Sequence, residues 1–197
     1  MSAKRIGILV FDGVEELDAV GPWEVLAYWT RNFPEDEYSV ELISGGQELV
    51  TAAKGMRFTP DVTRGDAEPY ELFIHPGGIG TRTLMLDDVH LDWMRELRAK
   101  TPIMASVCTG SLVYAAAGLL ADKTATTHWG SLELLAKTDP SIEVRADDRW
   151  VDNGDIVTSS GVSAGIEMAL HLVRRVSSEA RAKQVRRGIQ YDPQPPV

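Results

Sequence analysis

The first apolar run of the chain, Arg5 to Phe11 (RIGILVF), is nearly continuous in branched side chains and stops at Asp12-Gly13. A run that does not alternate and that a turn brings to an end predicts a strand buried on both faces, the central position of a parallel sheet. Gly21-Pro22 then opens a helical stretch carrying Trp23, Leu26, Ala27 and Thr30, with Pro22 at the first helical position. Tyr38 to Ser44 alternates as a second strand, and Leu72 to His75 (LFIH) is a short apolar strand leading into Pro76-Gly77-Gly78. A helix follows from Val89 to Lys100, burying Trp93, Met94 and Leu97.

Ile103 to Val107 is the next strand, followed at once by Cys108-Thr109-Gly110-Ser111 and a small-residue helix through Leu112, Ala115 and Ala116. Ala125 to His128 reads as a short strand and Gly130 to Ala136 as a helix. Trp150-Val151-Asp152 and Ile156 to Ser159 pair across the turn Asn153-Gly154. In the last long helix Ile166, Ala169, Leu170 and Val173 form one stripe, with Ser163 as N-cap. The repeated strand-then-helix order, with right-handed crossovers, predicts a doubly wound, flavodoxin-like α/β fold. Its sheet is mostly parallel, with helices on both faces and the cysteine on a nucleophile elbow. No repeat or linker divides the 197 residues, so one domain is expected over 1–197. The tail from Asp192 to Val197 is rich in proline and is predicted to be irregular or pinned to the surface.

Charge narrows the partners. With 29 acidic and 20 basic side chains, a formal charge of −9, the surface repels phosphodiester backbones and anionic lipid, so neither nucleic acid nor membrane is expected as a partner. Lys183, Arg186 and Arg187 are the one basic cluster, read as the solvated positive end of a last helix. Ile6 to Phe11 is too short for a secretory core, and Leu112 to Ala121 has about half the length needed to cross a bilayer, which points to the cytoplasm. One cysteine excludes an intrachain disulfide, and four scattered histidines give no zinc pattern. No metal or other cofactor is expected.

Cys108 falls at the carboxyl end of a predicted strand, where reactive groups of doubly wound sheets collect. A lone cysteine is otherwise an inert small hydrophobe; the tight strand-to-helix turn favours a functional one. A free thiol is only about 3% ionised at pH 7, and a helix N-terminus brings it to roughly 7 at most, so a nucleophile here needs another donor. The amides that follow Cys108 and a protonated acid are the candidates. Asp18 is the acid of choice, with a helix N-cap or Asx turn as its alternative role. Pro76-Gly77-Gly78 is a plain loop or a source of anion-binding amides. His128 is either a base for Cys108 or a packed histidine beside Trp129.

These residues resemble the ThiJ/PfpI superfamily, with its class I glutamine amidotransferase-like fold, over nearly the whole chain. The matching stretches are LVFDGVEELDAVGP (9–22), IHPGGIG (74–80), SVCTGSLVYAAAGLLADKTATTHW (106–129) and TSSGVSAGIEMA (158–169). The third is the specific one and looks like the isonitrile hydratase branch and the ligand domain of AraC-type regulators; YDPQPP (191–196) is also similar to the hydratase tail. The resemblance implies a nucleophilic Cys108, Asp18 as its acidic partner, Thr109 as a hydroxyl beside the site, and an oxyanion pocket from the amides of Gly78 and Thr109. It implies a cofactor-free hydro-lyase that adds water to an isonitrile, a small molecule, through a cysteine thioimidate to give an N-substituted formamide. It also implies a homodimer. Ile79, His128, Val162 and Trp129 are candidate pocket residues. Thr109 stands where peptidase-like members carry His, which disfavours proteolysis, and Asp18 stands where glyoxalase- or deglycase-like members usually carry Glu. Regulators of the AraC type need a DNA-binding domain for which no length is left here. Two rivals remain: a glyoxalase or deglycase acting on methylglyoxal, which needs His128 near Cys108, and a non-catalytic cysteine redox or ligand sensor.

Overall fold

Seven strands form the main sheet of the computed structural model, which describes residues 4–66 and 69–192. In chain order the strands are β1 (Lys4–Val10), β2 (Tyr38–Ser44), β3 (Val50–Thr51), β4 (Arg57–Phe58), β5 (Val62–Thr63), β6 (Leu72–His75), β7 (Ile103–Val107), β8 (Thr124–Ala125), β9 (Glu143–Val144), β10 (Trp150–Asp152) and β11 (Ile156–Ser159). The helices are α1 (Glu16–Asn32), α2 (Thr81–Leu84), α3 (Asp88–Arg98), α4 (Gly110–Ala116), α5 (Leu132–Thr138), α6 (Ala164–Val176) and α7 (Glu179–Gly188). The sheet runs β10-β11-β7-β6-β1-β2-β5, with every neighbouring pair parallel except the β10–β11 hairpin. Ile6, Ile8, Leu9 and Val10 of β1, Leu72 to Ile74 of β6 and Met104 to Val107 of β7 have no exposed surface. The continuous apolar runs are therefore covered on both faces: α1, α6 and α7 pack together as one group, and α2 to α5 as another.

The chain lays down β1, steps outward to β2, then crosses back to β6 and proceeds through β7 to β11, the flavodoxin-like order. The reversal between β1 and β6 is a topological switch point, where the two crossovers diverge and a crevice opens at the carboxyl ends of the strands. The segments leaving β1, β6 and β7 converge there.

Four details differ from the sequence expectation. Helix α1 begins at Glu16, so Pro22 lies inside it and cannot donate to the Asp18 carbonyl. Gly21-Pro22 serves packing instead of helix initiation: a Cβ on Gly21 would come within 3.0 Å of Ile166 on α6, and one on Gly165 within 3.4 Å of the Pro22 ring. The strand expected at Ala125 to His128 is only Thr124–Ala125, paired with β9 outside the main sheet. The helix expected from Gly130 starts at Leu132, after a 3₁₀ turn over Trp129–Ser131. Ser163 precedes α6 but does not cap it, because its own backbone is already helical (φ −66°, ψ −22°) and its hydroxyl accepts from Arg149 at 3.4 Å. Lys183, Arg186 and Arg187 lie on the exposed side of α7. Of the tail expected to be irregular, 193–197 lie outside the described residues. Among the described residues no helix is long and apolar enough to cross a membrane.

Candidate active site

Cys108 joins β7 to α4 with φ +55°, a left-handed conformation that a side chain with a Cβ rarely adopts. Its surroundings determine that conformation. The amide donates to the carbonyls of Ser159 and Ser160 at the end of β11 (3.1 and 3.2 Å), and the carbonyl accepts the hydroxyls of Thr127 (2.9 Å) and Ser111 (3.1 Å). Such over-determination is what holds a strained elbow in place. The amides of Thr109 and Val162 face the sulfur, and Val162 itself has φ +51°, rarer still for a β-branched residue.

Asp18 occupies the first turn of α1, three residues after the N-cap position held by Glu15, and has no exposed surface. It is therefore not the helix cap. Its Oδ2 accepts the Gly77 amide at 3.0 Å, while the Glu15 amide donates to the Gly77 carbonyl at 2.9 Å, so the loop after β6 and the start of α1 grip each other. Oδ1 is buried without a conventional hydrogen-bond partner, and the carboxyl stands against the Cys108 thiol. Gly77 is required here by space: a Cβ would lie 2.7 Å from Thr109 Oγ1 and 2.8 Å from Asp18 Oδ2. The Gly78 amide is engaged by Thr109 Oγ1 at 3.0 Å. Of the two amides expected to form an oxyanion pocket, Thr109 N thus faces the sulfur and Gly78 N the neighbouring hydroxyl.

Burial raises the Asp18 carboxyl to about 7; the Gly77 amide and Cys108 hold it down, and the charge of Glu15 adds to the rise. Burial, followed by the charge of Asp18, pushes the Cys108 thiol up to about 12, against the smaller pull of the Thr109 and Val162 amides. This corrects the expectation that the helix N-terminus brings the thiol down to roughly 7: the sulfur is only 5% exposed, and burial outweighs the amides that face it. The two groups are in contact and titrate as a coupled unit. In the tautomer with the thiol proton on Asp18, the sulfur is ionised and held by two amides.

The remaining candidates lie around this centre. His128, Val162 and Trp129 line a cleft of about 360 Å³ together with Thr127, Ser160 and Gly161. His128 Nδ1 accepts the Gly130 amide at 3.1 Å, and no hydrogen bond joins it to Cys108 among the described residues. Trp129 is 80% and Ile79 69% exposed; Ile79 packs against Gly13 and is not among the cleft residues. A larger groove of about 430 Å³, lined by Trp150, His171, Arg174 and Tyr191, contains none of the cysteine-site residues.

A cysteine elbow after the fourth long strand, a buried acid after the first and a glycine loop after the third form one constellation. Residues 4–175 match the DJ-1/PfpI family as a whole. The chain belongs to the DJ-1/PfpI family. It is 39% identical over 194 residues to an isonitrile hydratase of Pseudomonas putida, covering 98% of this chain and 81% of that protein. It is 25% identical over 191 residues to the Parkinson disease protein 7 homolog of Danio rerio, covering 94% and 96%. The crystal structure of a ThiJ/PfpI family protein from Pseudomonas syringae superimposes with a TM-score of 0.88 at 28% identity, covering all of this chain and 78% of that one.

This DJ-1/PfpI site also uses residues that the sequence did not single out. Thr81 donates to the Gly78 carbonyl at 2.7 Å and lies 3.1 Å from Thr109 Oγ1. His75 is completely buried, and burial lowers it to about 3, so it is neutral. A carbonyl can only accept, so His75 Nδ1 carries the proton toward Pro76 O (2.7 Å) and Nε2 accepts from His90 Nε2 (3.1 Å). The loop that presents Gly77 to Asp18 is thereby anchored from below. Only the Pro-Gly-Gly signal hinted at this; a buried histidine pair leaves no periodic trace.

Proposed function

We propose that this DJ-1/PfpI protein hydrates an isonitrile to an N-substituted formamide. The observation that carries the reading is the buried Asp18 carboxyl standing against the Cys108 thiol, an acid and a nucleophile in direct contact. The terminal carbon of an isonitrile must gain both a nucleophile and a proton, and one such pair supplies both. Asp18 takes the thiol proton as the sulfur bonds to the carbon, then delivers that proton to the same carbon, giving the thioimidate. Ionised Asp18 next removes a proton from water as hydroxide adds to the carbon, and passes that proton to nitrogen. The hydroxyl proton returns to Asp18 as the C–S bond breaks, releasing the formamide and restoring the starting pair. Thr109, beside the carboxyl, orients the water. The identity to an isonitrile hydratase over most of both chains supports the same reading.

The test is formamide production from cyclohexyl isocyanide, followed by chromatography. Wild-type protein should turn it over, Cys108→Ala and Cys108→Ser should be inactive, and Asp18→Asn should lose at least about 100-fold. The rate should rise through about pH 7, as the pair loses its first proton, and level off above it. Turnover by Cys108→Ser, or conversion of methylglyoxal to lactate in place of isonitrile hydration, would overturn the assignment.

A further inference from the structure

We infer that Arg82 is a specificity-determining residue that receives a carboxylate carried by the substrate's N-substituent; as a statement about isonitriles, this rests on the reading above. Arg82 lies on α2, directly after the loop that holds Asp18, and is half-buried. Its Nη1 donates to Thr81 Oγ1 at 3.0 Å and its Nη2 to Ser131 Oγ at 3.2 Å. The same Thr81 oxygen lies 3.1 Å from Thr109 Oγ1, so one hydroxyl separates the guanidinium from the residue next to the nucleophile. Ser131 closes the 3₁₀ turn whose first residue, Trp129, lines the cleft.

Both partners of Arg82 are neutral. Other cations near this end of the sheet are already answered: Lys54 by Glu15 and Glu16, Arg149 by Glu167. Arg82 has no carboxylate partner among the described residues. The two hydroxyls fix the guanidinium plane yet use only part of its five-donor fork, leaving donors for a bidentate anion. A carboxylate approaching Cys108 otherwise meets Asp18 on one side and Asp147 on the cleft wall, in a chain of net charge −9. These charges direct an anionic group toward Arg82. Isocyano carboxylic acids are the substrate class that fits.

Cys108 alkylation on the full chain, read by intact mass, tests the subsite without requiring isonitrile turnover. Iodoacetate carries a carboxylate and iodoacetamide is its neutral counterpart. The ratio of their rates should fall about tenfold in Arg82→Gln, and Arg82→Lys should restore part of it. The ratio of kcat/KM for 3-isocyanopropanoate to that for propyl isocyanide should fall in parallel. A ratio within twofold of wild type, including equal slowing with both reagents, would overturn the assignment to Arg82. A shifted alkylation ratio in a protein that hydrates no isonitrile would retain the anion subsite and reject the hydratase reading. Hydration with an unshifted ratio would do the reverse.

Discussion

Asp18 is an acid with no exposed surface whose ordinary value of 3.8 is moved to about 7 by burial. The folded chain therefore binds this proton more tightly than the unfolded chain does. Stability is lost as pH rises from about 4 to about 7, and the loss is complete above that range. Asn in its place still accepts the Gly77 amide and carries no charge. We expect Asp18→Asn to melt several degrees above wild type at pH 8, with the difference vanishing near pH 4, while turnover is lost. Calorimetry at the two pH values checks this; a wild type that melts higher at pH 8 would refute it. Asp18 could be chosen from the sequence because it follows a central strand, where reactive groups gather. Its burial, and with it the raised thiol, could not be read there, since both depend on Gly77 arriving from 59 positions away.

At the scale of elements, three crossings supply one group each: α1 the acid, the loop after β6 the amide that orients it, and the β7–α4 turn the sulfur. The long buried strands were legible because unbroken apolar runs have few other uses. The two-residue strands β3, β4, β5 and β9 were not, and β8 only with misplaced bounds, because so short a pairing has no periodicity to detect. The start of α1 was misplaced for a different reason. Gly-Pro reads locally as a helix opening, whereas here the pair lets α1 and α6 approach. Gly77 shows how little tolerance the meeting point has. Gly77→Ala should keep its far-UV circular dichroism yet lose at least about 100-fold in turnover, because the new methyl must push aside Asp18 or Thr109. Near-normal turnover would mean that the loop relaxes without disturbing the pair.

Across the whole molecule, α7 is fastened to the end of α1 by Arg181, which donates to both oxygens of Asp36 (2.7 and 2.9 Å) and lies over the Phe33 ring at 3.8 Å. Arg181 lowers the Asp36 carboxyl below its ordinary value, with Trp29 Nε1 adding a 2.6 Å hydrogen bond. This contribution is present above pH 3.8 and is lost as acid protonates Asp36. Arg181→Ala should melt about 3 °C lower at pH 7, with the gap narrowing in acid; a gap that does not change with pH would assign the loss to packing on Phe33. The doubly wound order has a consequence that reaches back to the sulfur. Asp18 and Cys108 hang from strands separated by β6 and touch only at the tips of their crossings, so their spacing is set by how firmly the sheet is clamped between its helices. A fault in the layer below, such as a void left by Leu9→Ala, would detune the exchange between oxygen and sulfur at temperatures where the fold is still intact.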